Sequence, residues 1–272
     1  MAQKTAQQNT LADARPLPMT AAELFEQTER RTPDFVIVTG DAYIDHPSFG
    51  TAIIGRVLVH HGYTVGIIAQ PDWKDPDSVK VFGLPRLAFM VNAGNMDSMV
   101  NRYTVAKRPR ETDAYTPGGR TGKRPDRAVN VYSQLIRRAF GNVPIVIGGI
   151  EASLRRFAHY DYWSNKVLPS VLVSSGADML VYGMGERQTA ELAEALDGGL
   201  DIHDITYIAG TAYLADNLER VYEYDEIESF EAAASDKQAY CRAFLSEFRE
   251  QDAITGHLES TIVPCYCDQV LR

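Results

Sequence analysis

Apolar positions in this chain fall into short unbroken runs, separated by stretches in which they recur at helical spacing. The runs are "DFVIVTG" (34–40), "YTVGIIA" (63–69), "RLAFMVNAG" (86–94), "VPIVIGG" (143–149) and "ADMLVYGMGE" (177–186). Each is short, rich in β-branched residues or bounded by glycine, and reads as a strand. Between them, Ala21, Leu24, Phe25 and Thr28 share a helical face, with Thr20 placed to cap it. Phe49, Ile53, Val57 and Leu58 share another, with Pro47 near its first turn and Gly62 beyond its end. "VNVYSQLIRRAF" (129–140) and "RQTAELAEAL" (187–196) complete the set. Continuously apolar strands alternating with amphipathic helices predict an α/β fold. It is a Rossmann-like, doubly wound parallel sheet of about five strands, with helices on both faces.

Two regions break the rhythm. Residues 101–127 have no apolar period and carry eight Lys or Arg against three carboxylates. A loop of that length in a compact domain is functional or mobile, so the expectation is a mobile basic insertion or one ordered only by a partner. Beyond residue 200, "TYIAGTAYL" (206–214) and "ERVYEYDEI" (219–227) read as extended pieces forming a small hairpin. "DKQAYCRAFLSEFRE" (236–250) reads as a helix capped by Ser235, and residues 255–272 fit no element.

Composition narrows the class. Of 272 residues, 45% are hydrophobic, enough for a sizeable core. The net charge of −9 argues against nucleic-acid binding by the surface as a whole, and leaves residues 101–127 as the one candidate contact. No stretch reaches the roughly 20 apolar residues that span a bilayer. Residues 1–19 lack a signal-peptide core and read as a flexible or extended arm. Three cysteines make no disulfide framework, and the expected location is cytoplasmic.

Loops that follow parallel strands share one edge of the sheet, where ligands bind. That rule gathers Asp45, His46, Ser48 and Gly50 after the first strand, and Asn92 and Asn95 after the third. Gly148, Gly149, Glu151 and Ser153 follow the fourth, and Gly183, Gly185 and Glu186 the fifth. Gly148 and Gly149 serve a tight turn as readily as a ligand. Glu186 suits a helix first turn as well as a site. His46 reads as a loop or capping histidine before it reads as a metal ligand, and Asp41 and Asp45 as turn acceptors. Phe157, Tyr160, Tyr162 and Trp163 suit core or docking surface better than a stacking platform. Cys265 and Cys267 form C-x-C with no partner at zinc-ribbon spacing, so no metal site is expected.

"HPSFGTAIIGRVLVHHGYTVGIIAQPDW" (46–73), "VIGGIEASLRRFAHYDYW" (146–163) and "DMLVYGMGE" (178–186) together resemble the N-terminal region of YgiQ-type radical SAM proteins. That region is similar to the cobalamin-binding-type Rossmann domains that precede many radical SAM cores. The resemblance covers about residues 20–250 and implies flavodoxin-like strand order 2-1-3-4-5. It also implies a [4Fe-4S] cluster and S-adenosylmethionine in the full-length family, held by a C-x-x-x-C-x-x-C motif that this chain lacks. The histidine that ligates cobalt in D-x-H-x-x-G is not matched either, since Asp45 adjoins His46 and Gly50 stands four beyond it. Cobalamin ligated through His46 is therefore not expected, and no cofactor is assigned to this chain alone.

The resulting layout is an arm at 1–19, a cobalamin-binding-like Rossmann domain at 20–200 with its basic insertion, and an α+β extension at 201–272. The extension leads toward a radical SAM core expected to be absent, the chain reading as truncated. The expected role is a docking or ligand-binding platform for that core in cis, inactive alone. A stand-alone small-anion-binding regulatory module is the alternative.

Overall fold

The structure is a computed structural model that describes residues 15–215, 224–250, 260–264 and 270–271. Helix α1 (Ala21–Thr28) opens with a capping box in which Thr20 and Glu23 satisfy each other's backbone amides. Strand β1 (Phe35–Thr39), helix α2 (Gly50–His60), strand β2 (Val65–Ala69) and strand β3 (Ala88–Asn92) follow. Next come α3 (Ser98–Arg102), α4 (Ala128–Phe140), β4 (Ile145–Ile147) and α5 (Gly149–Leu154). A two-stranded hairpin, β5 (His159–Asp161) and β6 (Lys166–Leu168), precedes α6 (Val171–Ser175), β7 (Met179–Val181) and α7 (Glu186–Asp197).

Five strands of a nine-stranded sheet, larger than the expected five, lie in the order β2-β1-β3-β4-β7, all parallel, which is the flavodoxin-like order. Every residue of β1 is buried because helices cover both faces. Val36, Val38, Phe89, Val91, Ile145 and Leu180 meet Leu24 of α1 and Leu135 and Ile136 of α4. Phe35, Ile37, Met90, Val146 and Met179 meet Leu58 of α2 and Leu192 of α7. The period-two alternation thus fixes which helices stand on which face. Among the described residues no helix is long and apolar enough to cross a membrane.

Past β7 the direction reverses. Strand β8 (Thr211–Ala215) runs antiparallel to β7. Strand β9 (Tyr224–Glu226), helices α8 (Phe230–Ser235) and α9 (Lys237–Glu250), and strands β10 (Ser260–Pro264) and β11 (Val270–Leu271) follow. The two extended pieces do not form the expected hairpin. β8 pairs with β11, and β9 pairs in parallel with β10, so two strands from the tail that fitted no element lie between them.

Four further expectations are corrected. Helix α2 starts at Gly50 and not near Pro47, because Phe49 N–H bonds back to His46 O and closes a turn first. Helix α9 is capped by Asp236, whose carboxylate accepts from Gln238 N and Ala239 N, while Ser235 ends α8. The arm is held over residues 15–19: Leu17 is buried against Gly55 of α2, and Pro18 O accepts from Ile67 N on the edge strand β2 at 2.8 Å. Residues 1–14 lie outside the described residues.

The basic insertion is likewise ordered. Arg124 is buried between Asp41 at 2.5 Å and Asp113 at 3.6 Å. Asp113 also accepts from Asn101 Nδ2 and Thr116 Oγ1, and Gln70 Nε2 donates to Thr116 Oγ1 at 2.6 Å. The insertion lacks an apolar period because buried polar side chains, tied to the ends of β1, β2 and β3, hold it.

Candidate functional site

Sheet order reverses between β1 and β3. The chain leaves β1 for α2 on one face and leaves β3 for α4 on the other, so the two loops part and open a crevice. A cleft of about 280 Å³ lies there. Ile37, Met90, Val146 and Val181 supply its apolar wall from β1, β3, β4 and β7. Thr51 and Ile54 of α2 and Glu186 and Thr189 of α7 close the sides.

A polar seam fixes the crevice. Thr39 Oγ1 donates to Asn92 Oδ1 at 2.8 Å, Asn92 Nδ2 to Thr51 Oγ1 at 3.2 Å, and Gly94 N to Asn92 Oδ1 at 2.9 Å. Side chains at the ends of two strands and the start of a helix are thereby locked together. Glycines keep the opposite rim low. Gly149 has φ +79°, and a methyl group there would lie 3.3 Å from Asn92 Cβ. At Gly185 an added Cβ would lie 2.7 Å from Val181 Cγ1. Met184, on the rim between Gly183 and Gly185, is 83% exposed.

The sequence-selected residues divide among three places. Gly50, Asn92, Gly148, Gly149, Gly183, Gly185 and Glu186 line the cleft. Ser153, Asn95, Ser48 and Glu151 stand behind it. Ser153 Oγ accepts from Gly183 N, and Asn95 joins two loops by donating its amide N–H to Asp41 and its side-chain Nδ2 to Ser48 O. Glu151 is buried and takes Ser98 N at 2.7 Å and Val129 N at 3.0 Å. Its carboxylate serves free amides in the first turns of α3 and α4, a structural task. Asp45 and His46 lie apart. Asp45 pairs with Arg56 of α2, and His46 Nδ1 accepts from Ser48 N. They share a shallow depression with His60 and His61, outside the cleft.

Sequence reasoning missed Thr39, Thr51 and Thr189. Thr39 was legible as the one polar residue of an otherwise apolar strand. The Asp41–Arg124–Asp113 cluster carried no signal, its members being 83 and 11 residues apart. Burial pushes the Asp41 carboxyl above the usual range even though the Asn95 amide and Arg124 face it.

The donors among the described residues do not fit an iron-sulfur cluster. A cluster with one open iron needs three thiolates held close together. The described residues hold one cysteine, Cys241, exposed on α9, and Cys265 and Cys267 fall outside them. Among the described residues no three His, Cys, Asp or Glu side chains converge to hold a metal.

Fold and cleft define a doubly wound parallel α/β domain with a crevice at its topological switch point. By sequence the chain belongs to the family described as Radical SAM N-terminal, whose model matches residues 16–263. It is 60% identical over 224 residues to a UPF0313 protein of Clostridium perfringens, covering 82% of this chain and 34% of the relative. A UPF0313 protein of Clostridium botulinum is 54% identical over 223 residues, with 82% and 35% covered. The chain therefore spans about a third of the length of the curated relatives it matches. Among solved structures, it is similar to a radical S-adenosylmethionine methyltransferase from Kitasatospora setae, solved with tryptophan substrate and a SAM analogue. The TM-score is 0.44 and the identity 22%, covering 69% of this chain and 29% of that one, a likeness too loose to carry an argument.

Proposed function

We propose that this chain is the Rossmann-like platform of a YgiQ-type radical SAM protein, with its switch-point cleft turned toward the catalytic core of the longer polypeptide. The observation that carries the reading is the cleft: seven residues at or beyond the C-terminal ends of four parallel strands line one apolar crevice with an exposed methionine on its rim. Such a crevice suits an inserted apolar side chain or a mostly apolar ligand positioned by a few polar groups. In a protein three times longer, the remaining polypeptide is the partner at hand. The reaction and substrate belong to that core, and so does the cluster with its S-adenosylmethionine, since the described residues hold one cysteine. His46 lies outside the cleft and accepts from Ser48 N, so the reading assigns it no cofactor. The whole protein is proposed to be cytoplasmic.

A second reading, a small-anion module, draws on α2 and α7, which both begin at the cleft without a side-chain cap. Their free amides favour negative charge. Glu186 in the first turn of α7 lines the same cleft and opposes an anion. The docking reading is therefore the better supported. Amide exchange tests it. Protection factors at residues 183–186 should rise at least about tenfold in the longer Clostridium perfringens relative over this chain. Equal protection in both would remove the docking role.

A further inference from the structure

The basic insertion takes no part in the cleft, and its ordered structure brings it against the β5–β6 hairpin. Lys107 Nζ donates to Trp163 O at 2.9 Å and lies 4.9 Å from the Tyr162 ring centroid. Tyr162 Oη donates to Val105 O at 2.9 Å. The Tyr103 and Trp163 rings pack at 4.2 Å between centroids, with the Arg102 guanidinium 5.5 Å from the Tyr103 ring. Two segments that read separately as a loop and an aromatic stretch are one surface.

That surface is positive and partly aromatic. Lys107, Arg108 and Arg110, on the strip that meets the hairpin, are exposed, as are Arg120 and Lys123 further along the insertion, and none has an ion pair among the described residues. The carboxylates nearby are already engaged: Asp113 with Arg124, Asp126 with Arg102, and Asp161 with Arg127. Glu111 is the remaining acid of the insertion. In a chain of net charge −9, this concentrates exposed cations on the insertion. Tyr160 is 49% exposed, Tyr162 55% and Val105 84%. The buried Asp41–Arg124–Asp113 cluster fixes the insertion to the sheet, so the cations are presented by a folded element.

We propose that this face binds single-stranded nucleic acid, its cations meeting phosphates and its two exposed tyrosines stacking on bases. An acidic protein would be served by the cations alone. Half-exposed rings set among unpaired Lys and Arg match a strand that alternates charge with flat apolar faces. The proposal stands apart from the docking reading of the cleft.

The test is fluorescence anisotropy with a labelled, unstructured RNA of about 20 nucleotides, titrated with the 272-residue chain at near-physiological salt, with heparin as a base-free polyanion. The Arg108→Glu/Arg110→Glu variant should weaken RNA binding by at least about tenfold, and log K should fall with log salt at about −0.7 per neutralised phosphate. Tyr162→Leu should weaken RNA binding roughly fivefold or more while heparin affinity is kept, and Tyr162→Phe should restore it. These positions are exposed, and unchanged thermal midpoints will show that the variants fold. Absence of RNA binding by the unmodified chain overturns the proposal, as does binding indifferent to the charge reversals. Tyr162→Leu losing nothing on RNA also overturns it, leaving a surface that recognises charge alone.

Discussion

Arg124 of the insertion and Asp41 just past β1 form an ion pair of 2.5 Å, with side chains 3% and 5% exposed. Asp113 approaches the same guanidinium at 3.6 Å. One buried cation therefore compensates two buried carboxylates. Removing it leaves both uncompensated, and breaking such a pair costs about 3–5 kcal/mol. Arg124→Met should lower the free energy of urea unfolding by an amount of that order and open the amides of residues 113–119 to exchange. A loss below about 1 kcal/mol would mean that water replaces the guanidinium readily.

The glycines at the sheet edge should separate sharply. Gly94 has φ +101°, and an added Cβ would fall 2.1 Å from Asp41 Oδ1. Gly183 has φ +68° with open space where its Cβ would stand. Gly183→Ala should cost about 1–2 kcal/mol, the ordinary penalty of the left-handed region. Gly94→Ala should cost clearly more, because Asp41 must move away from Arg124. Equal thermal midpoints for the two variants would contradict this.

His159 supplies a pH dependence. Burial pushes its pKa down to about 4, opposed by the Phe157 carbonyl it contacts and assisted by the Arg155 charge. The folded state keeps the ring neutral where the unfolded chain, titrating near 6.5, takes up a proton. More protons bound in the unfolded state means that stability falls as pH drops from about 6.5 to 4, and is full above 6.5. The urea midpoint should fall across that window, and fall less in His159→Phe. Parallel curves for the two proteins would show that another group governs the slope.

The parts of the fold set by local pattern were legible. Five apolar runs became five parallel strands, and Thr20 caps α1 as its place before the helix suggests. Boundaries decided by competition between neighbours were not. Ser235 and Asp236 are both good caps, and the structure uses the carboxylate. The insertion was misread because its order resides in Asp41, Asp113 and Arg124, a pairing that no periodicity announces. At the candidate site, topology placed the glycines and Asn92 at one crevice. It could not show that Glu151 turns away to serve two helix starts.

The cleft edge is proposed to face the rest of a longer protein. A structure of the intact Clostridium perfringens relative tests it most directly. Loops corresponding to residues 92–95, 148–150 and 183–186 should be buried against the remaining polypeptide, with a side chain or ligand between α2 and α7. Finding those loops open to solvent, and the remainder packed on the opposite edge of the sheet, would contradict it.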